Sequence, residues 1–160
     1  MSGLIKIPFL PTPDKVVKKI ILLADLKPNE KLIDLGSGDA RILLTAARLH
    51  DDIKCYGAEI NSTLFNVSKK RIEKVGFTDR IKIFNLDLFR VDLRPFDVIT
   101  LYLTPKALKT LQPRIARVLK EGKRVISHDF PLEKMKPVLV EKIPVGSRLH
   151  KLYLYSKDSL

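Results

Sequence analysis

Asp34-Leu35-Gly36-Ser37-Gly38-Asp39-Ala40-Arg41 joins a short β-branched run, Lys31 to Leu35, to a segment whose apolar residues recur every three or four positions, Arg41 to Leu49. A strand passing through two glycines into a helix makes a tight turn. Such a turn brings backbone close to a ligand and aims free helix N–H groups at it. The same alternation repeats outward. Lys54 to Ile60, Ile81 to Leu86, Phe96 to Leu103 and Lys123 to His128 read as strands, and Ser62 to Gly76 and Pro105 to Leu119 as amphipathic helices. This order predicts an α/β fold with right-handed crossovers, a mostly parallel sheet and helices on both faces.

The two ends depart from the repeat. Thr12-Pro13-Asp14 reads as a cap, a first-turn proline and an acid near the positive helix end, opening a helix to about Leu26. Pro137 to Ile143 and Leu149 to Ser156, joined by Pro144-Val145-Gly146-Ser147-Arg148, predict a terminal antiparallel hairpin. We expect one domain over residues 1–160, with a leading segment and helix at 1–29, a ligand-binding core at 30–130 and the hairpin region at 131–160.

Composition narrows the class. At 160 residues and 45% apolar content the chain can fill a core without staples, since a fold of this size removes roughly 70% of the unfolded surface from water. Cys55 is the single cysteine, so a disulfide framework and four-thiolate metal sites are excluded and no metal is expected. Prolines break the start before an apolar core of targeting length forms, and runs such as Ile20 to Ala24 are far short of the ~20 residues a membrane helix needs. A soluble, cytoplasmic monomer is the expectation. Thirty Lys+Arg against eighteen Asp+Glu give +12, a balance that favours anionic partners. Recurrent aromatics of the kind that stack bases do not accompany the lysines, so nucleic acid is the less favoured partner. One glutamine, no tryptophan and abundant lysine resemble the composition of thermophilic proteins.

Ligands of open parallel sheets bind beyond the carboxyl ends of the strands. A nicotinamide dinucleotide fold would place glycine where Arg41 stands, and the Lys-Ser/Thr pair of a triphosphate loop is missing. Instead, Asp34, Gly36, Ser37 and Gly38 form an acid followed by G-x-G, and the acid can hold an ammonium group. Glu59, 21 residues after Gly38 and followed by Ile60, can accept from both hydroxyls of a ribose. Asp87, followed by Leu88, can accept from the exocyclic amine of an adenine held between apolar side chains. Ammonium, ribose and adenine without a diphosphate describe S-adenosylmethionine. The bland alternatives are an ordinary turn for the glycines and a helix cap for Asp87.

The ordered acids resemble the class I, Rossmann-like, seven-stranded S-adenosylmethionine-dependent methyltransferases, whose last two strands are antiparallel. Pro8-Phe9-Leu10-Pro11-Thr12-Pro13, DLGSGDAR, LYLTP at Leu101 to Pro105 and RVISHDF at Arg124 to Phe130 are similar to protein-lysine methyltransferases. That family includes the ATP synthase c-subunit enzyme and small archaeal enzymes of broad specificity. The resemblance implies S-adenosylmethionine as cofactor, S-adenosylhomocysteine as product, and exposed protein lysines as acceptors, on the enzyme itself and on chromatin or nucleic-acid-binding proteins among others. It implies catalytic roles for Tyr102 and Thr104 and a substrate channel of Phe9, Pro11, Thr12, Pro13, Leu103 and His128. Where the family has a third glycine this chain has Ala40, expected to be harmless as a small helix former. His128 and Asp129 end the fifth strand, where a packing or hydrogen-bonding role is favoured over proton transfer. An RNA or small-molecule methyltransferase stays open as the alternative, and so does a basic binding module; the D/N-P-P-Y tetrad of many nucleic-acid amino-methyltransferases is replaced by Leu103-Thr104-Pro105.

Overall fold

The computed structural model describes residues 9–160. Pro8, the first residue of the proline-rich string, lies outside them. The elements run α1 (Asp14–Ala24), β1 (Lys31–Leu35), α2 (Arg41–Leu49), β2 (Lys54–Ala58), α3 (Ser62–Lys74), β3 (Ile81–Phe84), β4 (Val98–Leu101), α4 (Pro105–Lys120), β5 (Arg124–His128), β6 (Leu139–Val145) and β7 (Arg148–Tyr155). They form one seven-stranded sheet in the order β3-β2-β1-β4-β5-β7-β6. β1 to β5 pair in parallel, and β7 runs antiparallel to both β5 and β6. The order reverses between β1 and β4, which opens a crevice at their carboxyl ends.

Central strands are buried on both faces, as parallel strands covered by helices must be. Alternate residues feed two cores. Leu32, Val98 and Ile126 pack with α1 and α2 residues such as Ile20, Ile21 and Leu43, whereas Ile33, Ile99 and Val125 pack with α4 residues such as Leu108, Leu111 and Ile115. α4 opens on a Thr104 side chain that accepts from the Ala107 N–H, followed by Pro105 where a missing N–H costs nothing. Pro113 inside α4 is exposed, so the backbone carbonyl it leaves without a helical donor faces water.

Several expected boundaries move. Thr12 does not cap α1; Pro13 holds that position, and its carbonyl accepts from the Val16 and Val17 N–H groups, both at 2.9 Å. α1 stops at Ala24 because Asp25 turns into the left-handed region, φ 47°. β2, β3 and β4 stop two residues short of the carboxyl ends of their apolar runs, although the Glu59 N–H still donates to the Phe84 carbonyl at 3.0 Å. The hairpin turn is only Gly146-Ser147. Pro144 is drawn into β6, opposite Leu149, and is tolerated because β6 is an edge strand. Ala40 is not in helical conformation: it sits at φ 68°, fully buried. Its helix propensity is therefore irrelevant, and the position is one a glycine would occupy without strain.

Candidate functional site

The glycine turn is fixed from below by β2. Gly36 and Ser37 N–H groups both donate to the Ala58 carbonyl, at 2.9 and 3.0 Å. Gly38, at φ 58°, donates its N–H to Glu59 Oε1 at 2.8 Å, and Asn61 N–H donates to Oε2 at 2.9 Å. Glu59 thus clamps the turn to the start of α3 with both oxygens, each of which keeps a lone pair for a ligand. Gly38 has a second reason to lack a side chain, because a Cβ there would lie 2.4 Å from the Phe9 ring.

Asp34 ends β1 with its carboxyl buried and accepting from Thr100 Oγ1 at 2.8 Å. Burial pushes its pKa up to about 8, against that hydrogen bond and with help from the negative charges of Glu59 and Asp39. A buried carboxyl on a cavity wall in that condition gains its charge when a cation arrives. Ser37 Oγ, on the same wall, is buried with no hydrogen-bond partner among the described residues. Asp87 Oδ1 accepts from Phe89 N–H at 3.0 Å, capping the short 3₁₀ turn Leu88–Arg90, and also lines the cavity, so the cap and the candidate site residue are one group.

These groups share one cavity of about 660 Å³, within the size range of small-molecule sites. Asp34, Gly36, Ser37, Glu59, Ile60, Asp87 and Leu88 all line it, and so do Phe9, Thr12 and Tyr102. The other expected site residues fall elsewhere. Gly38 acts through its N–H to Glu59 and is not on the wall. Leu103 is buried in the core on the α4 face, because it follows the last β4 residue inward. Thr104 spends its hydroxyl on the α4 cap. Pro11 and Pro13 flank Thr12 without lining the cavity. His128 is buried behind Tyr102, with ring centroids 3.9 Å apart, so it supports the wall rather than forming it.

Two groups of residues were only partly legible: the Asp39–Arg41–Arg71 strut was not expected, and Tyr102, His128 and Asp129 were singled out without their partners Arg148 and His150. Asp39 holds Arg41 through two side-chain bonds of 3.0 and 2.6 Å and meets Arg71 at 3.0 Å, and Arg41 Nη1 donates to the Thr12 carbonyl at 3.0 Å. Burial raises the Asp39 carboxyl, but the two guanidinium groups outweigh it and hold it below the usual range. This strut ties the leading segment to the glycine turn; an acid and an arginine two apart just after the turn were its sequence signal. The second group surrounds Asp129. Its Oδ2 accepts from Tyr102 OH at 3.2 Å and from Arg148 Nη2 at 2.6 Å, and His128 Nε2 and His150 Nδ1 face each other at 2.9 Å beside it. His128, Asp129 and His150 bring one ligand-type atom each within 4.8 Å of one another. The imidazoles bond to each other and Arg148 sits on the carboxylate, while the buried His128 Nδ1 has no hydrogen-bond partner among the described residues. Separations of 19, 22, 27 and 46 residues gave this network no local pattern.

The sequence profile of the ANTKMT methyltransferase domain matches residues 34–139. A protein-lysine N-methyltransferase of Saccharolobus islandicus is 36% identical over 155 residues, 97% of this chain and 96% of that protein. The adenine nucleotide translocase lysine N-methyltransferase of Mus musculus is 29% identical over 151 residues; this chain spans 63% of its length. Among solved structures, an RNA methyltransferase from Salinibacter ruber in complex with S-adenosyl-L-homocysteine superposes with a TM-score of 0.82 at 34% identity, covering 91% of this chain and 92% of that one.

Proposed function

The chain belongs to the ANTKMT methyltransferase domain family and is an S-adenosylmethionine-dependent methyltransferase; from that premise we propose that it methylates lysine ε-amines of proteins. The observation that carries the acceptor class is the likeness to the Saccharolobus protein-lysine enzyme over nearly the full length of both chains. The RNA methyltransferase that superposes at 34% identity, with the net charge of +12, favours RNA as the second reading.

The cavity fits the cofactor on its own chemistry: a raised, buried carboxyl, an unpartnered hydroxyl, and two further acids at successive strand ends. In this reading Asp34 holds the amino-acid ammonium, Glu59 the ribose hydroxyls and Asp87 the adenine amine, with Ile60 and Leu88 against the ring. When bound, S-adenosylmethionine supplies an electrophilic sulfonium methyl and a positive charge that disfavours the ammonium form of a nearby amine. The protein's part is positioning and exclusion of water. Deprotonating a lysine of ordinary pKa costs about 4–5 kcal/mol at pH 7. Among the described residues no side chain on the cavity wall is a strong base, so Tyr102 serves to orient the acceptor, while Phe9 and Thr12 close the cavity over the cofactor.

The same proposal takes the 160 residues as one methyltransferase unit acting as a cytoplasmic monomer. Among the described residues no helix is long and apolar enough to cross a membrane. A crevice of this kind grips a side chain and a little backbone rather than a long sequence. Lysines on mobile loops of many proteins, this one included, are therefore the expected acceptors. Incubation with isotopically labelled cofactor, a panel of unrelated proteins and total RNA, followed by digestion and mass spectrometry, tests this. Methyl-lysine at several accessible positions is expected; label found only in RNA overturns it.

A further inference from the structure

Asp129 stands at the carboxyl end of β5 with φ 64°, a left-handed conformation that aspartate adopts more readily than most residues. β7 holds it from both sides: its N–H donates to the Lys151 carbonyl at 2.7 Å, and Oδ1 accepts from the Lys151 N–H at 3.1 Å. Oδ2 is what remains, and Tyr102 OH and Arg148 converge on it. Tyr102 also lines the cofactor cavity, so its hydroxyl joins the cavity to this carboxylate.

Arg148 differs from the rest of the cluster. It is the first residue of β7 after the two-residue turn, its side chain is 57% exposed, and it reaches over Asp129 and Tyr102 OH at 2.6 and 3.3 Å. Arg148 is solvated when it leaves, whereas the Asp129 side chain is only 11% exposed and its carboxylate needs a cation beside it. One cation can therefore replace another on Asp129 at small cost. Burial lowers the His128 pKa to about 4 against the pull of Asp129, so this imidazole is neutral and Arg148 is the cation seated on the carboxylate.

We infer that Asp129 and Tyr102 form the docking subsite for the side-chain ammonium of the substrate, and that Arg148 occupies it as an internal stand-in until the substrate displaces it. The inference rests on the lysine-acceptor reading above. A primary ammonium has three N–H donors, of which the carboxylate and the phenol oxygen can take two, fixing the nitrogen beside the cavity wall. A guanidinium stays charged at any working pH and offers no free lone pair, so Arg148 can rest there without becoming an acceptor. Its position at a hairpin turn lets it swing away without disturbing a core residue.

Two measurements test this. In the first, the Arg148 Nε–H resonance, assigned by its loss in Arg148→Gln, is followed with S-adenosylhomocysteine present while Nα-acetyl-lysinamide is added. It should shift with the lysine probe and stay unchanged with Nα-acetyl-norleucinamide, which has a similar alkyl chain but no ammonium. In the second, Arg148→Gln should lower KM for a lysine peptide three- to tenfold, while Asp129→Asn, which also tolerates the left-handed backbone, should raise it tenfold or more. S-adenosylmethionine affinity should be unchanged in both. A merely structural network would move both variants in the same direction through stability. Methyl-lysine formation with KM unchanged in both variants, or an Arg148 signal indifferent to the lysine probe, overturns the subsite and leaves the acceptor class standing; no methyl-lysine from any lysine probe overturns both.

Discussion

The two walls of the crevice are built from different materials. On the β1–β2–β3 side, Glu59 and Asp87 are held by backbone, Glu59 by the Gly38 and Asn61 N–H groups and Asp87 by that of Phe89, and the turn itself by the Ala58 carbonyl, while Asp34 leans on the Thr100 hydroxyl. On the β4–β5–β7 side, the contacts are mainly between side chains, Tyr102 to Asp129 to Arg148, with His128 packed behind. Backbone donors sit at fixed spacings and cannot rearrange without refolding the turn. Side chains on three strands can exchange partners. The difference suits the proposal that the first wall holds the cofactor and the second receives the acceptor.

The largest break in this contrast should come from Glu59→Ala. It removes charge-assisted bonds to the ligand and leaves the Gly38 N–H without an acceptor, so S-adenosylmethionine affinity should fall by about 2–3 kcal/mol and melting temperature should fall with it. Calorimetry and a thermal melt read both; unchanged affinity removes Glu59 from the site.

A second effect is in pH. With its pKa near 8, Asp34 is mostly protonated in the free protein at pH 7 and must release that proton when a cation binds. Cofactor affinity should rise almost tenfold per pH unit up to about pH 8 and then level off. Because the folded pKa lies above the unfolded value near 3.9, this group stabilises the free protein at acid pH, and that contribution is lost as pH rises from about 4 through 8. Asp34→Asn should flatten both slopes; a wild-type affinity independent of pH between 6 and 8 would contradict the assignment.

Tyr102→Phe sharpens the contrast from the other wall. Loss of one hydroxyl costs about 0.5–1.5 kcal/mol. It should appear in methyl transfer to lysine and not in cofactor affinity, and steady-state kinetics beside calorimetry separate the two. The smallest effect belongs to Ala40→Gly. At φ 68° the alanine pays for a left-handed backbone, which offsets the entropy and packing that glycine forfeits, so stability should stay within about 0.5 kcal/mol of wild type. An alanine in ordinary helical conformation would instead lose about 1 kcal/mol on that change, and denaturant unfolding distinguishes the outcomes.

The same division of materials explains what the sequence disclosed. Strand–helix alternation and the G-x-G turn are local demands of backbone geometry, so the sheet, its hairpin and the convergence of Asp34, Glu59 and Asp87 on one cavity were readable from spacing. Thr104 and Leu103 were misplaced because a polar residue before a proline, or an apolar one after a strand, fits a wall and a cap or core equally well; burial decided between them. Arg148 was invisible, since its partners come from elements 19 and 46 residues away and only the folded hairpin brings them together.

The outer strand of the hairpin has a bearing on self-association. β6 is seven residues long, lies at the margin of the sheet and exposes Leu139 and Val140. Such a strand is a template on which a foreign chain can add itself and begin a fibril. Pro144 has no N–H to offer, its carbonyl already accepts from Lys15 Nζ at 2.9 Å, and Glu141 and Lys142 place charges beside it. The margin of the sheet beside Arg148 is thereby a poor seed for aggregation.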